Sequence, residues 1–302
     1  MIEKSYEASL RGTYPGARKT EEHLRKGMII LDKPSGPTCH QIDAWVKQLL
    51  ELNLASHGGT LDPRVSGVLV IALEKSTKLM PVLLSSRKQY VGLVNLHQEV
   101  AEWKIKEACK ELVGTIEQLP PKRSAVARRV RERQIYSLDV LEAEGRNVLI
   151  RVDCEAGVYV RRLAEQIGDK LGVKAHLQEL RRTKSGIFSE ENSVTMQKLV
   201  DAVSALKEGD DSLLRNIVHP LELLCDGMKV VVVKDSAMNN IRKGSPLYSS
   251  GVVRIDEGIV KGDTVGMLSL QGELIAIGFA CTDSERIGEN KVTVVRTDRV
   301  MQ

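Results

Sequence analysis

The sequence predicts an α+β protein that ends in a small all-β unit. Two observations predict it. Segments of helical period and of strand period succeed one another between residues 28 and 171, and the tail after residue 228 holds only short apolar strands broken by turns.

Residues 1–26 are polar and charged and read as an extension, disordered or strapped onto another surface. MIIL (28–31) is a short apolar strand, which Pro34, Gly36 and Pro37 end. Ile42, Trp45, Val46, Leu49 and Leu50 then recur at helical spacing as core positions, with Thr38 as the cap. SHGGTLDPRVSG (56–67) is a glycine-punctuated loop, and VLVIAL (68–73) is a buried strand. QYVGLVNL (89–96) reads as a strand and 101–113 as a helix. In NVLIRVDC (147–154), Val148, Ile150, Val152 and Cys154 share one face, the pattern of a half-buried strand. Val160, Leu163, Ala164, Ile167 and Leu171 form one helical stripe that stops at Gly172. In the tail, KVVVV (229–233), VVRI (252–255), TVGMLSL (264–270) and ELIAIGFA (273–280) are short strands, the last two joined by a tight turn at Gln271–Gly272. The expected division is an extension (1–26), a main unit (27–226) and a barrel-like β unit (227–302).

The 302 residues are 42% apolar and 28% charged, which fits a soluble globular chain of about two domains. No apolar run reaches the roughly 20 residues of a membrane helix. The opening MIEKSYEASLRGTY lacks the apolar stretch of a secretory signal, so a cytoplasmic location is expected. Five scattered cysteines form no C-x-x-C pair, and six histidines show no ligand spacing, so neither a disulfide framework nor a metal is expected. The net charge of +4 is modest, but the cations cluster. Lys122, Arg123, Arg128, Arg129, Arg131 and Arg133 stand against the single acid Glu132, and Arg181, Arg182 and Lys184 form a second group. Clustered cations suit phosphate contacts; a solvated helix face is the plainer alternative for one run, and two clusters either side of a candidate site tilt the reading towards RNA binding.

Three stretches carry candidate chemistry. In GGTLDPRVSG, Pro63 pushes Asp62 towards an extended backbone, and Gly58, Gly59 and Gly67 let a ligand approach. Most loop aspartates are turn-formers, so the loop alone does not assign a reaction. In CEAGVYVRRLAEQIG (154–168), Tyr159 and Arg161 lie at the opening of a helix; Arg161 is either a surface arginine or the partner of a buried carboxylate, and its slightly unfavourable place in the helix dipole leans towards a tertiary partner. In RKQYVG (87–92), Tyr90 is either core or a stacking surface for a base, in a chain with only 3% aromatics.

Together these stretches resemble the TruB family of pseudouridine synthases, and in particular its archaeal dyskerin-type branch. GMIILDKPSGPTCH (27–40) is similar to the family's first motif, SHGGTLDPRVSGVL (56–69) to its catalytic motif, and CEAGVYVRRLAEQIG to its third. QLPPKRSAVARRVRERQIYSLDVLE and HLQELRRTKSGIF (176–188) resemble the dyskerin branch, and KGDTVGMLSLQGELIAIGFA resembles a PUA domain. Departures are Cys39 where serine is usual, Val158 where threonine is usual, and Glu117 and Leu119 where tyrosine and arginine are usual. The resemblance implies a mixed, largely antiparallel-sheet catalytic domain flanked by helices, plus a small all-β PUA barrel. It implies isomerisation of uridine to pseudouridine without a cofactor. Asp62, Arg161 and Tyr90 would be catalytic, and Tyr159, His57, Lys33 and Leu180 would meet substrate. The implied partners are an H/ACA guide RNA, substrate RNA, a small Nop-type scaffold protein, a Gar-type β-barrel protein and a kink-turn-binding protein. A stand-alone synthase acting on the T-arm of tRNA and a non-catalytic RNA-binding scaffold are the competing expectations. A glycosidase is weaker, because no second carboxylate stands at recognisable spacing.

Overall fold

The computed structural model describes residues 2–3, 13–120, 127, 129–287 and 292–301. The chain begins with β1 (Ile2–Glu3) and α1 (Thr20–Arg25). There follow β2 (Gly27–Lys33), α2 (Cys39–Leu49), β3 (Ala55–His57), β4 (Ser66–Leu73), α3 (Met80–Ser85), β5 (Lys88–Leu96) and α4 (Glu102–Glu111). Next come β6 (Gly114–Gln118), β7 (Arg131–Glu144), β8 (Asn147–Cys154), α5 (Val160–Leu171), β9 (Ala175–Ser185), β10 (Phe188–Ser189), α6 (Met196–Lys207), α7 (Ser212–Ile217) and β11 (Val218–Pro220). The tail supplies β12 (Lys229–Val233), α8 (Asp235–Arg242), β13 (Leu247–Tyr248), β14 (Val252–Ile255), β15 (Thr264–Leu268), β16 (Leu274–Ala280) and β17 (Thr293–Val300).

Two sheets organise these elements. The larger runs β11–β2–β4–β9–β5–β8–β7–β6, with β3 beside β4 and β10 beside β9. Among its pairs only β4 and β9 are parallel. The second runs β1–β14–β12–β15–β16–β17–β13, with β12 and β15 parallel. It covers Val231, Val265, Met267, Ile275 and Val295, together with Met238 and Ile241 of α8. The fold is therefore α+β, with sheet and helix in the larger unit and mainly sheet in the smaller.

MIIL and VLVIAL are apolar at every position because β2 and β4 are covered on both faces, and alternation survives only where one face meets water. Ile29, Leu31, Leu69, Ile71 and Leu73 join the main core with Ile42 and Val46 of α2. Met28, Ile30, Val68, Val70 and Ala72 pack on the opposite side with Leu79, Leu83, Leu274 and Ile277. The last two belong to the second sheet, so this cluster fastens the two units together.

Polar groups seal that junction. Arg18, whose side chain is wholly buried, donates to both carboxylate oxygens of Glu222 at 2.8 and 2.6 Å. Glu222 also accepts from the backbone N–H of Leu274 at 3.0 Å. Lys26 bridges Glu22 and Glu273 at 3.0 and 2.8 Å. The extension is thus strapped down along residues 18–26. Removing one partner of a buried ion pair strands the other, at a cost of about 3–5 kcal/mol. Arg18→Met is therefore expected to lower unfolding stability by about that amount in a urea titration. An unchanged midpoint would show that the strap is dispensable.

Candidate active site

Asp62 is presented by a loop whose ends and middle are held by buried side chains. Thr38 caps α2 through a capping box: its hydroxyl accepts from Gln41 N–H at 3.1 Å, and the Gln41 side chain accepts from Thr38 N–H at 2.8 Å. That start fixes Cys39, whose Sγ accepts from Leu61 N–H at 3.1 Å and donates to Leu61 C=O at 3.4 Å. On the other side of Asp62, the Lys33 ammonium donates to Pro34, Pro63 and Val65 carbonyls at 2.9, 3.0 and 2.9 Å. Burial lowers the Lys33 pKa from its ordinary value, with Cys39 and Asp62 opposing. Arg182 spans the loop, donating to Val68 C=O at 2.7 Å and Gly59 C=O at 2.9 Å. Gly67, at φ +103°, lies so close to β9 that an added Cβ would come within 2.2 Å of the Arg182 carbonyl oxygen.

Arg161 reaches Asp62 from the first turn of α5, donating from its guanidinium to Oδ2. Both side chains remain open to solvent, 56% and 60% exposed. The start of α5 lacks a local side-chain cap. Gln118 supplies the link from β6 instead: its side chain accepts from Tyr159 N–H at 2.9 Å and donates to Tyr159 C=O at 3.3 Å. No sequence signal pointed to Gln118, because it acts on a residue 41 positions away.

Tyr90 lies on β5 between Val152 and Arg182 and is 9% exposed. Burial raises its phenol pKa; Arg182 opposes that rise and Asp62 adds to it. Leu180 is half-buried opposite Gly92 and packs on the main core. Burial also pushes the Lys88 ammonium down to about 7. Lys88 is buried and meets Leu83 C=O, Ser86 C=O and the Ser86 hydroxyl at 3.0, 2.6 and 2.8 Å.

Several expected contacts are corrected here. Lys33 and Arg182 are 0% and 1% exposed; Lys33 donates to three backbone carbonyls, and Arg182 donates to two through Nε and Nη2 and shares a side-chain hydrogen bond with Tyr90. Both brace the loop from its buried side, where the sequence suggested exposed contacts. Arg181 is claimed by Asp32, at 2.9 and 3.1 Å, and by Glu190 at 2.6 Å. Lys184 is exposed. Of the larger basic group, Arg129 is exposed, Arg131 is half-buried and Arg133 lies 3.5 Å from Glu155. Lys122, Arg123 and Arg128 lie outside the described residues. His57 is pinned: Nδ1 bonds Asp43 at 2.6 Å and Nε2 contacts the Thr60 hydroxyl at 3.2 Å. His40 stands beside this pair, so linear spacing hid a cluster of metal-ligand type.

Residues 47–160 match the TruB family pseudouridylate synthase (N terminal domain), and 161–225 match the tRNA pseudouridylate synthase B C-terminal domain. Residues 229–301 match the PUA domain, and 2–43 the DKCLD (NUC011) domain. A Methanopyrus kandleri protein named probable tRNA pseudouridine synthase B is 47% identical over 292 residues, 96% of this chain and 86% of that one. In the crystal structure of a Cbf5-Nop10-Gar1 complex, one chain superposes with a TM-score of 0.95 at 43% identity, over 99% of this chain and 92% of its own. A chain in the structure of an H/ACA RNP bound to a substrate RNA containing 2′-deoxyuridine gives 0.93 at 42% identity, over 100% and 94%.

The Cys39 geometry yields a test of the loop alone. Cys39→Val leaves both buried backbone groups of Leu61 unpartnered and is expected to cost about 1–3 kcal/mol, whereas Cys39→Ser keeps a donor and an acceptor and should stay near wild type. Equal urea midpoints for the valine and serine variants would show that the thiol contributes only volume.

Proposed function

The chain belongs to the TruB family of pseudouridine synthases, and on that premise we propose that Asp62 is its catalytic carboxylate and that it works as the catalytic subunit of an H/ACA guide-RNA particle. The reaction breaks the bond from ribose C1′ to uracil N1, turns the base and joins C1′ to C5. Its atoms balance within one nucleotide, so no donor or redox partner is required. A carboxylate beside the sugar can serve by three routes: attack on C1′, stabilisation of positive charge on the ribose, or removal of a sugar proton.

The observation that carries the assignment is the meeting of Asp62 and Arg161, from segments 99 positions apart, at a solvent-open edge of an otherwise buried framework. An exposed carboxylate can reach a ribose; a guanidinium on one oxygen orients it. Tyr90, only 9% exposed, would stack on the uracil, and Tyr159 would shape the pocket. The target uridine leaves its stack to reach Asp62, at a cost of a few kcal/mol that is least for an unpaired base. In this reading residues 27–226 carry the chemistry and residues 227–302 hold RNA.

Whole-length likeness to chains in a Cbf5-Nop10-Gar1 complex and in an H/ACA RNP supports the guided role. The partners would then be guide and substrate RNA, a small Nop-type protein, a Gar-type β-barrel protein and a kink-turn-binding protein. The name carried by the Methanopyrus kandleri relative favours a second reading, direct action on tRNA.

Tritium release from RNA labelled at uridine C5 distinguishes these roles. The guided enzyme should release tritium only with guide RNA and partner proteins present, and release from tRNA by the chain alone would establish the second reading. Asp62→Asn should abolish release while RNA affinity stays nearly unchanged; appreciable turnover by this variant would remove Asp62 from the chemistry. Arg161→Ala, which frees the carboxylate to reorient, should reduce kcat roughly a hundredfold.

For the basic segment the readout is salt dependence. Arg129→Ala should lower the slope of log affinity against log salt by about one if that side chain neutralises a phosphate. An unchanged slope would make it part of a solvated face.

A further inference from the structure

We propose that His40, Asp43 and His57 form a binding site for a divalent transition-metal ion of the zinc type, clamping α2 to the strand that leads into the Asp62 loop. The three donors come from two elements. His40 and Asp43 are one helical turn apart at the start of α2, on the same face. His57 arrives from β3, which is paired to β4 through His57 and Ile71. Nδ1 of His57 lies 2.6 Å from Asp43 Oδ2, and Nδ1 of His40 lies 3.9 Å from the same oxygen. All three ligand atoms fall within 4.8 Å of one another, a grouping that among the described residues unites two imidazoles and a carboxylate.

Metal–nitrogen and metal–oxygen bonds of about 2.0–2.2 Å in a tetrahedron separate ligand atoms by about 3.3 Å. The observed 2.6 and 3.9 Å straddle that value. Rotation of His40, whose side chain is 88% exposed, can close the longer gap. Two nitrogens and one oxygen suit zinc, cobalt or iron; magnesium and calcium prefer all-oxygen sets. Three protein donors leave a fourth position to water.

An independent observation at Asp43 points the same way. Its Oδ1 is buried without a hydrogen-bond partner, while Oδ2 holds His57. The Asp43 side chain is 13% exposed, and an orphaned buried oxygen on it is costly unless a cation gripped by both carboxylate oxygens completes it. Coordination would also rearrange one proton. In the neutral metal-free imidazole, the Nδ1 proton is donated to Asp43 and Nε2 accepts from the Thr60 hydroxyl. When the metal takes Nδ1, the proton moves to Nε2 and is donated to Thr60. Metal occupancy therefore reverses the polarity of a hydrogen bond two residues before Asp62, without entering the reaction itself.

The test uses the full-length, tag-free chain and Co2+, a spectroscopic substitute for Zn2+. The expected result is the visible d–d absorption of a four-coordinate site, lost in His40→Ala with affinity falling by at least on the order of a hundredfold. His97 and His176 form a second imidazole pair, 3.1 Å apart, with no third donor grouped with them among the described residues, so His176→Ala should leave the spectrum intact. Metal binding to the folded chain should also raise Tm in proportion to log Co2+ concentration for wild type but not for His40→Ala. Because His40 is exposed, the two proteins should melt alike without metal. Absence of the bands in wild type, their persistence in His40→Ala or their loss in His176→Ala would each overturn the proposal.

Discussion

The position of Asp62 depends on buried side chains that hydrogen-bond to the backbone around it. Lys33, Cys39 and Arg182 take the backbone groups of Gly59, Leu61, Pro63, Val65 and Val68. A loop cannot be buried unless its polar groups are met, and these residues meet them from beneath. Each bond is directional, so together they leave the loop little freedom. Gly67 completes the arrangement, because only a residue without Cβ permits β4 and β9 to approach as they do. If Asp62 is the carboxylate proposed above, rigidity of this kind sets it in place before substrate arrives, which is where much of the benefit of orientation lies.

The bracing residues can be buried because their strands are. β2 carries Lys33 at its end, β9 carries Arg182, and β4 starts where the loop ends. Apolar side chains cover both faces of β2 and β4, one against α2 and one against the second sheet. The small β unit is therefore part of what makes the Asp62 loop rigid. Arg18, Glu222 and the Leu274 N–H extend this coupling to the N-terminal extension, which reaches the same junction.

Much of this was legible in the residues, for definite reasons. The stripe from Val160 to Leu171 and the alternation from Val148 to Cys154 are long and strictly periodic, and both elements form as the pattern requires. Thr38 caps its helix as expected. β9 escaped notice because its sequence, AHLQELRRTKS, is mostly polar although it lies inside the sheet. Its partners use that polarity: Arg181 meets Asp32, and Arg182 meets backbone carbonyls. A cluster of cations in sequence suggests a patch, but a strand sends neighbouring side chains to opposite faces. β7 was hidden for a related reason, since its start lies in the basic run taken as a candidate RNA-binding cluster. The Asp62–Arg161 pairing was visible only through the family resemblance, because no local pattern relates residues so distant in sequence.

The contrast between a buried frame and an open ion pair also bears on how the site works under the proposed mechanism. Without RNA, Asp62 and Arg161 are more than half exposed, and such a pair contributes little to folding. Its geometry is therefore a product of the frame and of the start of α5, which Gln118 anchors, and not a cause of them. A nucleotide settling over the pair would expel water and reduce the local dielectric. The same two charges would then interact more strongly with each other and with charge developing on the ribose. Folding gains little from this pair, so most of its interaction energy is left to be expressed in the bound complex. That separation fits side chains that hold the backbone beneath the loop and a carboxylate left accessible at its tip.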